Sequence, residues 1–285
     1  MNLPYLTDTA INVFIQSALN EDIGNGDHSS KGSIPSDKHS SAELLLKDDG
    51  VLAGVELAQK IFQTVDAALE VKPLMKDGDQ VNFGDIGLTV TGNAGSILSA
   101  ERLVLNCMQR MSGIATKTAQ LKKLIDHTKA ELLDTRKTTP NARIIEKWAV
   151  AIGGGQNHRF GLYDMVMLKD NHIDFAGGIT QAINATVKYL RQENLDLKIE
   201  VETRNLPEVK EALETGKVNR IMLDNFEVGI LKEAVDIIQG RVEVEASGGI
   251  TEETISRVAE TGIDYISVGA LTHSYRSLDI SLKAK

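Results

Sequence analysis

The sequence predicts an α/β protein built in two styles, and three patterns carry that prediction. Over residues 41–93, short apolar runs alternate with the turn dipeptides Asp49-Gly50, Asp77-Gly78 and Gly92-Asn93, which predicts a small, mainly antiparallel sheet. From Ala130 onward, short strand-like runs alternate with amphipathic helical patterns, the signature of parallel βα units. The last run ends, at Glu202, Asp224, Ser247 and Gly269, lie 22, 23 and 22 residues apart. That regularity fits a closing barrel better than an open doubly wound sheet. No GxGxxG follows the first strand, which also disfavours a dinucleotide-binding sheet.

The individual elements follow in order. Helical patterns cover 8–21 and 54–68, flanking the antiparallel runs. Residues 99–128 form a long helical passage, with Ser99 as its N-cap, Glu101 in its first turn and Gly113 as a bend or break. Strand-like runs then end at Thr135, Lys169, Glu202, Asp224, Ser247 and Gly269. Amphipathic helices fill the intervals 178–193, 207–216, 227–239 and 251–262. Pro207 suits a first helical turn, and Gly216 and Gly262 suit C-terminal stops.

Composition narrows the function classes. The 285 residues are 42% hydrophobic and 25% charged, a globular balance with enough apolar surface for a core. The net charge of −9 argues against an extended basic surface for nucleic acid. Cys107 is the only cysteine, so no internal disulfide or CxxC metal site can form. No run approaches the ~20 apolar residues that span a bilayer, and the start MNLPYLTDTA lacks a signal-peptide pattern. A cytoplasmic location without membrane or nucleic-acid partners is the expectation.

In parallel βα folds of the barrel type, chemistry gathers where strands end. The residues there are Thr135-Arg136-Lys137, Lys169, Glu202, Asp224, Ser247-Gly248-Gly249 and Gly269. The clustering is not a basic segment in disguise, since residues 130–175 hold six Lys/Arg and six Asp/Glu. The turn Ser247-Gly248-Gly249 lets backbone N–H groups approach a phosphate, or serves only as a tight turn. Glu202 and Asp224 hold Mg²⁺ or ribose hydroxyls, or else pair with Lys169. Glu200 shares a face with Glu202 and lies one layer deeper, so it competes for that role. Arg136, Lys137, His158 and Arg159 suit an anionic ligand, because arginine grips carboxylate or phosphate through a planar fork. Lys169 ends a nearly continuous apolar strand, as a charge-stabilising lysine or one that reaches out to solvent. No Ser-His-Asp spacing, HExxH or P-loop is present.

The span GGGQNHRFGLYDMVMLKDNH at 153–172 resembles the signature of the quinolinate phosphoribosyltransferase family. The resemblance continues in ERLVLNCMQRMSGIAT, DTRKTTP, VEVEASGGI and ISVGALTHS, in order along nearly the whole chain. It departs at NGDHSS, residues 25–30, where only local packing is at stake. The resemblance implies an N-terminal α/β sandwich over 1–112, joined by the tail 274–285. It implies an open or incomplete α/β barrel of about seven strands over 113–273. The implied reaction joins quinolinate to phosphoribosyl pyrophosphate with decarboxylation, giving nicotinate mononucleotide, pyrophosphate and carbon dioxide. That reaction is a step of de novo NAD synthesis and uses Mg²⁺. Carried over by motif, Arg136, His158, Arg159 and Lys169 resemble the quinolinate pocket, and Lys137 a lysine bridging toward the donor. Glu202 and Asp224 resemble the acids for ribose and metal. Ser247, Gly248, Gly249 and Gly269 resemble the 5′-phosphate cradle, with His273 beside them. Arg102 resembles an arginine reached in from a partner, which implies a homodimer or a higher assembly of it. Lys137, Lys169, Glu202 and Asp224 are the catalytic candidates on this resemblance.

Overall fold

A computed structural model describes residues 3–285, which divide into two compact units. The first contains residues up to 119, with 137–154 and 270–285; the second contains 120–136 and 155–269. Along the chain come α1 (Asp8–Ile23), α2 (His28–Ser33), β1 (His39–Leu46), β2 (Gly50–Val51), α3 (Val55–Val65), β3 (Glu70–Pro73), β4 (Gln80–Val81), β5 (Ile86–Asn93) and α4 (Ala94–Ile125). After them come β6 (Glu131–Leu133), α5 (Arg143–Ile152), β7 (Val166–Leu168), α6 (Asp170–Ala176), α7 (Ile179–Gln192), β8 (Ile199–Thr203), α8 (Leu206–Glu214) and β9 (Arg220–Asp224). The chain ends with α9 (Val228–Ile238), β10 (Glu243–Ser247), α10 (Ile255–Ala259), β11 (Tyr265–Ser267), α11 (Ala270–His273) and β12 (Ile280–Ala284). Among the described residues, no helix is long and apolar enough to cross a membrane.

The first unit carries a four-stranded sheet in the order β12-β1-β5-β3, and every pairing is antiparallel. Alternation along β1 buries Ala42, Leu44 and Leu46. Together with Leu57, Ile61 and Phe62 of α3 and Leu88 and Val90 of β5, they form its core. Asp27 caps α2 by accepting the Ser30 N–H at 3.0 Å, so the unusual NGDHSS stretch has a local structural use.

Two expectations about the long helix fail here for physical reasons. It begins at Ala94 rather than at Ser99, because Asn93 Oδ1 accepts the Ser96 N–H at 3.0 Å and acts as an earlier start signal. Ser99 instead lies inside the helix and donates to Asp27 Oδ2 at 3.2 Å. Gly113 does not break the helix. A Cβ there would stand 2.3 Å from the Arg276 carbonyl oxygen, so glycine is needed for close approach of the tail.

The second unit is a six-stranded parallel sheet in the order β6-β11-β10-β9-β8-β7. A single parallel bridge between Leu133 and Gln156 extends it beyond β6. The sheet stays open, with β6 and β7 as its terminal strands. Helices α7, α8 and α9 pack as successive neighbours, as βα connections require. Asn205 caps α8 by accepting the Glu208 N–H at 3.0 Å, and Pro207 sits in its first turn. The helix expected at 251–262 shortens to α10, because Thr251 to Thr254 form a turn in which Thr254 Oγ1 accepts the Thr251 N–H at 2.9 Å. The C-terminal ends of the six strands lie side by side, which gathers the sequence's polar strand ends along one rim.

Replacing Gly113 with alanine forces a side-chain atom into the Arg276 carbonyl and should cost about 1–3 kcal/mol. A fall in the urea midpoint at constant slope measures that loss; an unchanged midpoint would show that the tail does not press on α4.

Candidate active site

The second unit places the sequence-selected strand-end residues on its rim. Lys169 follows β7 and caps α6, with its own N–H donating to His172 Nδ1 at 3.0 Å. Its Nζ donates to Glu202 Oε2 at 2.9 Å, so Lys169 and Glu202 form one ion pair. Glu202 is buried in β8 and Asp224 ends β9. Burial raises the pKa of Asp224, and the Glu202 carboxylate beside it adds to the rise.

Ser247 pairs with Asp224 in the β10–β9 register, and its carbonyl accepts the Asn225 N–H at 2.8 Å. Gly248 follows with φ +91°, and a Cβ there would meet Asn225 Oδ1 at 2.2 Å. Only glycine suits both that backbone and that contact. Gly249 continues the turn with φ +60°, and Gly269 occupies the matching place two residues after β11.

Arg136 follows β6 on the same rim. Burial lowers the pKa of Arg159, and the neighbouring Arg136 guanidinium lowers it further. One Arg159 Nη1–H donates to the Met165 carbonyl at 3.2 Å. The segment carrying His158 and Arg159 is pinned from β6: Asp134, fully buried, accepts the His158 N–H at 2.8 Å and the Asn157 Nδ2–H at 2.7 Å. Asp164 closes the loop by accepting the Phe160 and Gly161 N–H groups at 2.6 and 2.8 Å.

Below the rim lies a buried ionic layer. His158 Nε2 stands 3.0 Å from Glu200 Oε2 and 3.3 Å from Glu245 Oε2. Arg220 Nη1 donates to Glu245 Oε2 at 2.9 Å, and its Nε and Nη2 donate to Glu243 Oε2 at 3.1 and 3.0 Å. Its guanidinium carbon also sits 4.0 Å from the centre of the Tyr265 ring. Burial works against a charge on the His158 ring, but the two carboxylates outweigh it and raise the ring's pKa. The Arg159 N–H donates to Nδ1 at 2.7 Å and pulls the other way, since a doubly protonated ring would face it with a second N–H. Burial pushes Glu200 up, helped by Glu245. Burial pushes Glu245 up as well, yet His158 and Arg220 reverse that and leave it below its ordinary value.

The first unit holds the remaining candidates. Lys137 and His273 line a cavity of about 410 Å³ with Arg110, Thr138, Thr139, Thr272, Tyr275 and Ser277. Arg110 reaches the fully buried Glu146 through Nε at 2.9 Å and Nη2 at 2.8 Å, and Glu146 Oε2 accepts the Thr139 N–H at 3.2 Å. Thr272 Oγ1 donates to the Lys137 carbonyl at 2.9 Å, so the Lys137 loop is tied down at two points. Arg102 projects from α4 as an exposed residue, apart from that cavity's lining.

Sequence reasoning passed over Asp134, Arg110, Glu146, Arg220 and Glu245. For Glu245 a signal existed: it shares strand parity with Ser247, so it had to face the same side. Nothing in the local sequence marks Arg110 and Glu146 as partners, since 36 residues separate them.

Comparison with known proteins places these features in a family. The N-terminal domain of quinolinate phosphoribosyl transferase matches residues 26–112, and the C-terminal domain of the same family matches residues 114–283. The Nicotiana tabacum protein named quinolinate phosphoribosyltransferase (decarboxylating) 1b is 51% identical, with the alignment covering 94% of this chain and 81% of that one. The probable nicotinate-nucleotide pyrophosphorylase (carboxylating) of Bacillus subtilis is 40% identical, over 92% of this chain and 89% of its own. Among solved structures, NadC from Streptococcus pyogenes superposes with a TM-score of 0.91 at 40% identity, covering 98% of this chain and 97% of that one. Both domains match in order, and the fold follows a solved relative through nearly its whole length, so the chain belongs to the quinolinate phosphoribosyl transferase family.

Proposed function

We propose that this chain transfers the phosphoribosyl group of phosphoribosyl pyrophosphate to quinolinate with loss of carbon dioxide, giving nicotinate mononucleotide and pyrophosphate for de novo NAD synthesis. Family membership and the names of the relatives support the reaction. The observation that carries the substrate assignment is the Arg136–Arg159 neighbourhood. Burial and mutual repulsion both disfavour the Arg159 charge, and a substrate bearing two carboxylates relieves that repulsion.

The chemistry divides between two groups of residues. Arg136, Arg159 and Lys169 hold the carboxylates, with His158 beside them, and fix the pyridine nitrogen in line with ribose C1. Lys137 and His273 serve the anionic donor from the cavity that they line. Breaking the C1–O bond sends its electron pair to pyrophosphate and leaves positive charge on the ribose. Glu202 and Asp224 stabilise that charge and orient the ribose hydroxyls. The ring nitrogen then bonds to C1 and becomes quaternary. When the C2–carboxylate bond breaks, its electron pair stays on ring carbon, carbon dioxide departs, and a proton takes the vacated position. Lys169 balances the negative charge of that step, and the Ser247-Gly248-Gly249 turn with Gly269 seats the 5′-phosphate.

The paired acids also fit Mg²⁺. Both offer hard oxygen donors; burial raises the Asp224 pKa and repulsion by Glu202 adds to it, and a divalent cation at the two acids would remove that repulsion. Bound there, Mg²⁺ supplies neutralising charge for the phosphate-rich donor.

A homodimer fits the surfaces. In the second unit Leu162, Tyr163 and Phe175 are 72, 70 and 90% exposed, more apolar area than solvent contact explains. In the first unit a mainly apolar cavity of about 530 Å³ includes Leu98 and Glu101, the latter adjacent to Arg102. On this reading Arg102 enters the partner's acid pocket. The single cysteine, buried and unpaired, suits a reducing cytoplasmic compartment.

Incubation with quinolinate, phosphoribosyl pyrophosphate and Mg²⁺ should release carbon dioxide and pyrophosphate in equal amounts; consumption of nicotinate without carbon dioxide release would overturn the assignment. Lys169→Ala and Arg136→Ala should each lower kcat/KM by more than about a hundredfold, the cost of one preorganised charge contact. Near-parent rates in both would remove these residues from the site. Chelation should abolish turnover and Mg²⁺ restore it. Mixing inactive Arg102→Ala and Lys169→Ala proteins should regenerate activity if Arg102 crosses between subunits, and mixtures as inactive as their components would exclude that.

A further inference from the structure

The buried layer beneath the acid pocket contains three ionisable side chains that no step above uses: Glu200, Glu245 and Arg220. We propose that Glu245, supported by Glu200 and Arg220, is a positioning residue for the acid pocket, holding His158 through Nε2 and, through Nδ1 of the same ring, the backbone from which Arg159 projects. This rests on the quinolinate reading above.

Each link is short. Glu245 is fully buried and takes its first contact from Arg220 at 2.9 Å, which anchors the carboxylate to β9. Its Oε2 also lies 3.3 Å from His158 Nε2, with Glu200 Oε2 at 3.0 Å on the same nitrogen. Two carboxylates from different strands therefore flank one ring edge. At the opposite side of the ring, Nδ1 accepts the Arg159 N–H at 2.7 Å. The His158 N–H is tied in turn to Asp134 at 2.8 Å. The Arg159 backbone is therefore fixed through its own N–H and through that of His158. Its guanidinium donates to the Met165 carbonyl at 3.2 Å. A bidentate grip on a carboxylate demands a defined guanidinium plane, so rigidity of this backbone matters for binding.

His158, Glu200 and Glu245 also converge closely enough to suggest a metal site, since their donor atoms lie within 4.8 Å of one another. Arg220 argues against it. Its guanidinium is bonded to Glu245 and already supplies the neutralising charge, and a cation would have to sit beside it. The layer is a salt-bridge network serving the rim.

Glu245→Gln keeps the side-chain volume but removes the charge that holds both Arg220 and His158. It should raise the quinolinate KM about tenfold to a hundredfold, as a misplaced binding group does, while the phosphoribosyl pyrophosphate KM stays within about twofold. Glu245→Asp, which keeps the charge, should recover part of the loss. Val209→Ala in helix α8, buried but not a member of the ionic layer, controls for lost stability and should leave the quinolinate KM unchanged. In the unmodified protein, histidine-selective ¹⁵N spectra should show His158 with a protonated Nε2 and an accepting Nδ1, a readout that needs no variant to fold. An unchanged quinolinate KM in Glu245→Gln, equal changes in both substrates' KM, or the reverse nitrogen assignment would overturn the proposal. Failure of the unmodified protein to turn over quinolinate would instead sink the reaction assignment itself, so the two failures are distinguishable.

Discussion

A carboxylate can lie in the interior of a parallel sheet only if positive charge lies with it, and Glu200 and Glu245 both do so here without solvent contact. Arg220 supplies that charge from β9, and the segment beside β6 turns the Nε2 edge of His158 toward both carboxylates. The requirement fixes more than the acids. It draws the His158 ring inward, and the ring takes the Arg159 amide with it. A neutralisation problem inside the sheet thereby becomes an orientation on its rim.

Above that layer the rim combines charges in opposite ways on its two sides. Arg136 and Arg159 repel each other, and so do Glu202 and Asp224. Lys169 is paired with Glu202 at 2.9 Å, between the two sets in charge. Sites strained in this manner favour ligands of opposite sign, because binding removes repulsion as well as adding attraction. The arrangement costs stability without a ligand, and the buried pairs beneath offset it by holding the backbone in place.

Glycines contribute where side chains cannot. Gly248 combines a left-handed backbone with a contact that would place any Cβ on Asn225, which lets the β10 turn fold against the β9 end. Gly113 does the same for packing within the first unit, where α4 lies against the carbonyl of Arg276. Both are demands of close approach rather than of flexibility.

How much of this is legible in the sequence depends on range. Strand positions 199–203, 220–224 and 243–247 announce themselves through short-range composition and the even spacing of their ends, so the parallel units and the polar rim follow from local physics. Parity alone also puts Glu200 on the Glu202 face and one layer deeper, and the structure buries it completely. Local signals mislead where two compete, as when Asn93 starts α4 ahead of Ser99. The partners inside the sheet are another matter. His158, Glu200, Arg220 and Glu245 come from four separate segments, and only the register of the strands brings them within hydrogen-bonding distance. The sequence by itself determined the fold class and the chemical character of each strand end, because those depend on neighbours along the chain. Tertiary structure decided which charges meet, because pairing across strands depends on register and burial that no single segment encodes.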